Sequence, residues 1–153
     1  MKRVKAGTRI MKGQIDLNTY NSNQNRLHLF DGKFTTGYRV KDFRICPQVP
    51  TNVEEVMALI STMPKTGVPS SFNFADNENV AYYLWNAPNQ TEHSEWKLIL
   101  PDNMAVEDLW ISCYTTGDET KLNYYVELEK FTFPAWDGAG ILVEGISQGP
   151  STS

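Results

Sequence analysis

Histidine is the side chain that most often acts as a general base or a metal ligand near neutral pH, and this chain contains two. His28 alternates with Leu27 and Leu29 in an apolar run, a pattern that places it on the surface of a strand. His93 lies in the polar stretch 91–95, which is typical of an exposed turn. We therefore expect neither histidine to be catalytic or to bind a metal.

The two cysteines, Cys46 and Cys113, each lie inside an apolar run. Such cysteines usually act as small buried hydrophobic residues, and a disulfide between them is the alternative. A structural zinc site takes four Cys and His ligands, often in closely spaced pairs, and the sequence contains no such pairs. The sequence predicts no metal and no cofactor.

Two pairs of neighbouring acids could form the carboxylate pair of a glycosidase: Asp118 with Glu119, and Glu127 with Glu129. The first pair is better explained by turn chemistry and the second by an exposed strand face. The sequence also lacks the Gly-x-Ser-x-Gly elbow of many serine hydrolases and the glycine-rich loops that hold nucleotides. We predict no catalytic residue, and hence a protein that is not an enzyme.

A chain of 153 residues with 41% hydrophobic and 21% charged side chains has the size and composition of one packed domain. Its net charge of −4 disfavours nucleic-acid binding by the molecule as a whole, because that binding depends on many Lys and Arg contacts to phosphate. The segment 1–9 is nevertheless basic, which predicts either a genome-contacting arm or a solvated tail. Its cations are Lys2, Arg3, Lys5 and Arg9.

Short aromatic and β-branched runs separated by Asn, Asp, Gly and Pro clusters predict an antiparallel sandwich or barrel. Asp31-Gly32 predicts a hairpin turn, and the two strands flanking residues 116–119 predict the clearest hairpin of the chain. Near Lys41-Asp42 the alternation slips by one residue, which predicts a β-bulge. The predicted strands are 10–17, 26–30, 35–46, 80–85, 96–100, 106–115 and 121–131.

One connection has the pattern of a short helix. Thr51-Asn52 offers a capping side chain, acids follow in the first turn, and Pro64 would end the helix. The long loop 65–79 either carries recognition or crosses the end of the sheets. The apolar positions of the predicted helix are Val53, Val56, Met57 and Ile60.

After residue 133 the sequence becomes rich in Ala and Gly, with one short apolar run. That run predicts either an eighth strand or an extension that pairs with the exposed sheet edge of a neighbouring subunit. The chain thus divides into a basic arm 1–9, a β-sandwich domain 10–133 and a C-terminal extension 134–153. The apolar run consists of Ile141, Leu142 and Val143.

Several aromatic side chains are predicted on the outer faces of strands, where such residues often form protein interfaces. The alternative is that these side chains cap the core. An exposed tryptophan at position 85, 96 or 110 could also stack on a sugar ring. The interface candidates are Trp85, Trp110, Tyr114 and Tyr125.

Three segments resemble small structural proteins of marine phages and other aquatic viruses. They are Asp-Leu-Asn at 16–18, Phe-Asp-Gly-Lys-Phe-Thr-Thr-Gly-Tyr at 30–38, and Asn-Tyr-Tyr-Val-Glu-Leu-Glu at 123–129. The resemblance covers roughly residues 10–131, although loop 65–79 has no counterpart. It implies a jelly-roll-like capsid, decoration or fibre-associated subunit that is present in many symmetric copies, and it transfers no catalytic residue.

We therefore expect an all-β protein, an antiparallel, jelly-roll-like β-sandwich of about eight strands with one short helix in a connection. As a virion structural protein, it would be made in the host cytoplasm without membrane contact. Its partners would be copies of itself, other virion proteins and, weakly, the genome through the N-terminal arm. The alternative is a carbohydrate-binding β-sandwich, a receptor-binding or lectin-like module with a glycan as its ligand.

Overall fold

The computed structural model describes residues 4–17, 22–33, 35–49, 53–65, 72–86, 94–100, 104–117 and 121–134. These residues form an all-β fold, as the sequence predicts, and no helix among them is long and apolar enough to cross a membrane. The strands are β1 (Val4–Asp16), β2 (Ser22–Leu27), β3 (Thr36–Pro47), β4 (Val53–Ser61), β5 (Asn79–Asn86), β6 (Ser94–Ile99), β7 (Leu109–Gly117) and β8 (Lys121–Thr132).

The strands form two antiparallel sheets, one with the order β1-β8-β3 and the other with the order β2-β7-β4-β5-β6. The pairs β1 with β8, β2 with β7 and β4 with β5 are nested, as in a jelly roll. The strand β6 pairs with β5, and the chain after it crosses to β3. There Tyr38 and Ala105 exchange two backbone hydrogen bonds of 2.8 Å.

The inner faces of the two sheets supply the core. Phe43 of β3 and Tyr83 of β5 meet across it with ring centroids 5.8 Å apart. At one side, the ammonium group of Lys97 in β6 donates to the carboxylate of Asp42 in β3, which joins the two sheets. The core therefore lies between the sheets, and each sheet has an outer face that points away from it.

The predicted β-bulge is confirmed. The register between β3 and β8 shifts between Val40 and Asp42, and the buried positions change accordingly from Tyr38 and Val40 to Phe43 and Ile45. The extra residue on the β3 side keeps apolar side chains on the core on both sides of the shift. Sequence alternation alone was sufficient to locate it.

The helix predicted to begin at Thr51-Asn52 and to end at Pro64 is wrong, because Val53–Ser61 form strand β4. This strand lies between β7 and β5 and is covered on both faces, so Ala58, Leu59 and Ile60 are all buried in succession. A strand buried on both faces loses the period-2 alternation that distinguishes it from a helix. The structure thus has eight strands within the described residues, with β4 in place of the helix.

Both predicted hairpins are wrong as well. Gly32 has the positive φ, 85°, that the turn prediction required, but β2 and β3 belong to different sheets. The strands β7 and β8 also lie in different sheets, so the connection through 118–120 joins the sheets. Turn residues show where a chain bends, whereas the partner of a strand depends on which sheet buries its apolar face.

The strand boundaries differ at the N-terminus, where β1 already begins at Val4 and pairs with β8 up to Thr132. Residues 4–9 of the predicted basic arm therefore belong to a strand. The division into arm, domain and extension otherwise stays a prediction, since residues 1–3 and 135–153, including Ile141, Leu142 and Val143, lie outside the described residues.

Candidate functional surface

The outer face of the five-stranded sheet carries a row of large uncharged side chains. Cross-strand pairing places Tyr114 of β7 opposite Met57 of β4, Met57 opposite Leu84 of β5, and Leu84 opposite Trp96 of β6. Directly paired residues of antiparallel strands project from the same face. Trp96 is 44% exposed and the other three are half-buried. We call these four residues the central row.

At the β6 end, two phenylalanines extend the central row. The rings of Phe72 and Phe74 stack on Trp96 with centroids 6.1 and 6.2 Å away, and both contact Tyr82 edge-on. Burial raises the pKa of Tyr82, whose hydroxyl donates to the carbonyl oxygen of Asn73 at 2.8 Å. The buried Tyr82 therefore holds the loop in place, while Phe74 remains 58% exposed.

Near the β7 end, a cleft of about 270 Å³ opens beside Trp110. The guanidinium carbon of Arg26 lies 5.4 Å from the centre of the Trp110 ring, a distance at which a cation interacts favourably with an aromatic face. Arg26 also binds the carboxylate of Asp108, with its Nε 2.6 Å from Oδ2. The cleft is lined by Arg26, Phe30, Thr62, Met63, Pro64, Glu107, Asp108 and Trp110.

The carboxylate of Asp108 in this cleft accepts hydrogen bonds from three groups. Burial alone would raise its pKa, but the backbone N–H groups of Phe30 and Leu29 and the Arg26 guanidinium hold the pKa below its usual range. The two N–H groups donate to Oδ1 at 2.8 and 2.7 Å. An acid kept ionised by these donors is suited to fixing the end of β2 against the start of β7, not to proton transfer.

Of the acids that could have formed a glycosidase pair, the two on β8 are each paired with a base. Glu129, which is buried and not exposed as predicted, accepts from Nε of Arg39 at 2.6 Å. Glu127 lies 3.6 Å from the ammonium group of Lys41. Asp118 and Glu119 lie outside the described residues. These ion pairs connect β3 to β8 and fit a structural role.

Similar pairing occurs at the loop beside β5. The ammonium group of Lys65 lies 2.7 Å from Asp76 and 3.2 Å from Glu78, and the backbone N–H of Lys65 donates to Gln24 Oε1 at 2.9 Å. These bonds tie the described part of the 65–79 loop to β2. Among the residues that the structure describes, no three His, Cys, Asp or Glu side chains form a group able to hold a metal ion.

The structure divides the four aromatic interface candidates among three places. Trp110 and Tyr114 lie on the outer face of the five-stranded sheet, whereas Tyr125 shares the outer face of the other sheet with Lys12 and Arg44. Trp85 is 7% exposed and packs in the core, so its predicted outward placement is wrong. Val56 of β4, the residue directly paired with Trp85, is also buried. This face of β4 and β5 is therefore the inner one.

The other predicted site residues lie at separate positions. Arg9 is exposed and its Nη2 donates to the carbonyl oxygen of His28, itself exposed as predicted, at 3.4 Å. Lys5 belongs to β1. Cys46 is exposed, contrary to expectation, and Cys113 is buried; no disulfide joins them. Lys2, Arg3 and His93 lie outside the described residues.

Sequence reasoning did not identify Met57, Leu84, Phe72 and Phe74 as surface residues. Met57 was assigned to the predicted helix, and Leu84 belongs to an apolar run in which either face could have been the inner one. The two phenylalanines alternate with Asn73 in a loop-like segment, and this alternation was the one available signal.

No family model matches the sequence, and no curated protein matches it. The chain has a weak structural resemblance to viral capsid proteins. VP1 of Trichodysplasia spinulosa-associated polyomavirus, solved in complex with 3'-sialyllactose, has a TM-score of 0.43 and 10% identity over 86% of this chain and 96% of that one.

The capsid structure of Helicobacter pylori bacteriophage KHP30 has a TM-score of 0.36 and 8% identity, covering 87% of this chain and 93% of that one. A lectin from Bauhinia forficata in complex with GalNAc has a TM-score of 0.21 and 7% identity, covering 82% of this chain and 100% of that one. Because every one of these TM-scores is below 0.5, the likeness carries no functional argument.

Proposed function

We propose that this chain is a structural subunit of a virus particle, a capsid, decoration or capsid-associated protein without enzymatic activity. It associates with copies of itself and with other virion proteins through its β domain and its terminal segments. It is made in the host cytoplasm and resides in the virion. The basic residues near the N-terminus, among them the exposed Arg9, provide a weak contact to the genome.

The observation that carries this proposal is the contrast between the two outer faces of the sandwich. Acids and bases on the three-stranded sheet are paired with each other, as in Glu129 with Arg39 and Glu127 with Lys41. The outer face of the five-stranded sheet has an ion pair at its margin, where Arg26 pairs with Asp108 beside Trp110. Its central row is instead uncharged, with Trp96 exposed and the other three side chains half-buried. Aromatic groups on a rigid exposed face are the usual anchors of protein interfaces. The nested strand pairing and the resemblance of segments 16–18, 30–38 and 123–129 to virion proteins add the viral context.

Purified native particles provide the direct test. We expect the chain to co-purify with particles in a fixed, high copy number and to occupy symmetric positions in an electron-microscopic reconstruction. In isolation it should associate with rising concentration, as measured by light scattering. A chain that is absent from particles, or present only as free monomer in infected cells, would contradict the proposal.

A second candidate function is carbohydrate binding, and one observation favours it. Trp96 is 44% and Phe74 is 58% exposed, and their rings are nearly parallel, with 18° between the ring planes. Exposed aromatic rings are suited to stacking on the apolar face of a sugar. A glycan array with the wild-type chain and a Trp96→Ala variant tests this function. Binding by a stable monomer that is lost in the variant would favour a lectin-like module over the structural subunit.

A further inference from the structure

The central row has an order that reads the same in both directions. Over the four strands β7, β4, β5 and β6, an aromatic side chain stands at each end, Tyr114 and Trp96, and an aliphatic side chain occupies each middle position, Met57 and Leu84. The register continues beyond Tyr114 to Ser22 of the edge strand β2. With about 4.8 Å between neighbouring strands, the row is about 14 Å long. A second identical row rotated by 180° would therefore meet aromatic with aromatic and aliphatic with aliphatic.

The rows beside the central row carry little charge. On one side, Leu59, Tyr82 and Leu98 are paired in register, in line with Ser112 and Gln24, and none of these side chains is charged. Leu59, Tyr82 and Ser112 are buried, and the segment that contacts Tyr82 carries Asp76 and Glu78, both paired with Lys65. On the other side, Glu55 is paired with Asn86, and Asn86 with Ser94. Three adjacent rows thus contain one formal charge within the described residues.

This distribution of charge indicates what covers the face. Two copies of a chain with net charge −4 repel each other unless they meet through a surface with little charge. The opposite face does not meet this condition, since there Lys12, Tyr125 and Arg44 share one row, and Ile10, Glu127 and Asp42 share another. The five-stranded sheet therefore suits a second copy of the same chain.

We propose that two copies of this chain pack their five-stranded sheets face to face about a two-fold axis that passes through the middle of the central row. Met57 of one copy then contacts Leu84 of the partner subunit, and Trp96 contacts Tyr114 of the partner subunit. Such an interface is isologous, because the same surface serves both copies. The inference rests on the proposed function in that it names the surface through which the subunit associates with itself.

Sedimentation velocity over a range of concentrations tests this pairing with two single variants. Met57→Lys and Leu84→Glu each place two like charges, one from each copy, beside the two-fold axis. We expect each variant alone to weaken dimerisation at least about tenfold. An equimolar mixture of the two variants should form a heterodimer, because the introduced cation of one chain faces the introduced anion of the other.

Tyr125→Glu is the matched control, because it introduces a charge at a partly exposed aromatic position on the outer face of the other sheet. We expect it to dimerise as the wild type does. Circular dichroism of each variant verifies that it is folded, and recovery of association in the mixture excludes misfolding as the cause of the single-variant losses.

Three results would overturn the pairing: a wild-type chain that stays monomeric at all concentrations, single variants that dimerise normally, or a mixture that fails to associate. If the wild-type chain occurs in particles but the single variants dimerise normally, this pairing fails while the proposed function stands. If the dimer behaves as expected but the chain is absent from particles, the proposed function fails and the pairing stands.

Discussion

At the scale of single residues, Asp108 links the end of β2 to the start of β7, two strands that are far apart in the sequence. Its carboxylate accepts from the backbone N–H groups of Leu29 and Phe30 and from Arg26. Replacing it by Asn keeps the shape but removes the charge and turns one oxygen into an NH2 group, so that either Arg26 or the two backbone N–H groups lose their acceptor. We expect Asp108→Asn to lower the free energy of unfolding by about 1 to 3 kcal/mol, as measured by urea denaturation.

The exposed neighbour Glu107 provides the control for this variant. Glu107→Gln removes the same charge from the same segment without changing the acceptors of Arg26 or of the two backbone N–H groups. We expect its effect to stay within about 0.5 kcal/mol. Equal losses of unfolding free energy in the two variants would mean that the negative charge of this segment, and not the hydrogen bonds of Asp108, contributes the stability.

The lowered pKa of Asp108 also predicts a dependence on pH. Its pKa in the folded chain lies below the ordinary value of 3.8, so on acidification the unfolded chain takes up a proton first. The stability from this carboxylate is present above the unfolded-state pKa and is lost as pH falls through the folded-state pKa. The difference in unfolding free energy between wild type and Asp108→Asn should shrink below about pH 4. A difference that grows on acidification would contradict this assignment.

The tryptophans show what sequence alternation can and cannot establish at this scale. Trp85 and Trp96 both follow strand patterns, yet Trp85 is buried and Trp96 is exposed. Alternation divides a strand into two faces but does not identify the inner face when both contain apolar residues. That choice depends on the second sheet, which covers the face that contains Trp85, Tyr83 and Val56.

At the scale of elements, the predicted strands overlap seven of the eight observed ones, and the bulge near Asp42 was predictable. The second strand was nevertheless placed too late, at 26–30, whereas β2 is Ser22–Leu27. The strand β4 was not predictable, because neighbours on both edges and cover on both faces remove its alternation. The pairing of β7 with β2 and β4, instead of β8, was not predictable either. Strand formation depends on local pattern, whereas pairing depends on contacts between residues distant in sequence.

The start of β3 lies unusually close to the residue that follows β8. A Cβ atom added at Gly37 would lie 2.8 Å from two ring carbons of Phe133, which is itself buried, and 3.5 Å from the carbonyl oxygen of Ala105. We expect Gly37→Ala to lower the free energy of unfolding by about 1 to 3 kcal/mol, because the ring must leave its packed position. Thermal and urea denaturation both measure this loss.

A smaller side chain at position 133 tests whether the Phe133 ring is the cause. Phe133→Leu alone should destabilise the chain by leaving a cavity. In the double variant with Gly37→Ala, the added methyl group has room, so the combined loss should be smaller than the sum of the two single losses. Strictly additive losses would show that the two positions do not interact.

At the scale of the whole molecule, the sandwich has two outer faces of different chemistry around one core. The three-stranded sheet carries ion pairs between β3 and β8, and the five-stranded sheet carries the central row and the phenylalanines stacked on Trp96. Two strands, β3 and β6, are also joined across the sheets by Asp42 and Lys97. A stable sandwich of this kind can associate through one face while the other stays hydrated.

The two cysteines, which form no disulfide, report on the opening of this core. Cys46 is exposed, whereas Cys113 lies on the inner face of β7, and burial raises its pKa to about 12. The reactive species is the thiolate, so at about pH 8 the thiol of Cys113 is both inaccessible and protonated. We expect a thiol reagent to label one cysteine per folded chain rapidly, and Cys46→Ser to abolish this rapid reaction.

Labelling of Cys113 then requires separation of the two sheets, because Cys113 packs in the core that they share. In increasing urea its protection should disappear at the same midpoint as the native tryptophan fluorescence, as expected for a single cooperative unit. If Cys113 reacts well before that midpoint, the five-stranded sheet opens separately and the sandwich is not one cooperative unit. If it reacts as rapidly as Cys46 in native buffer, Cys113 is not buried between the sheets, and the assignment of the inner face of β7 is wrong.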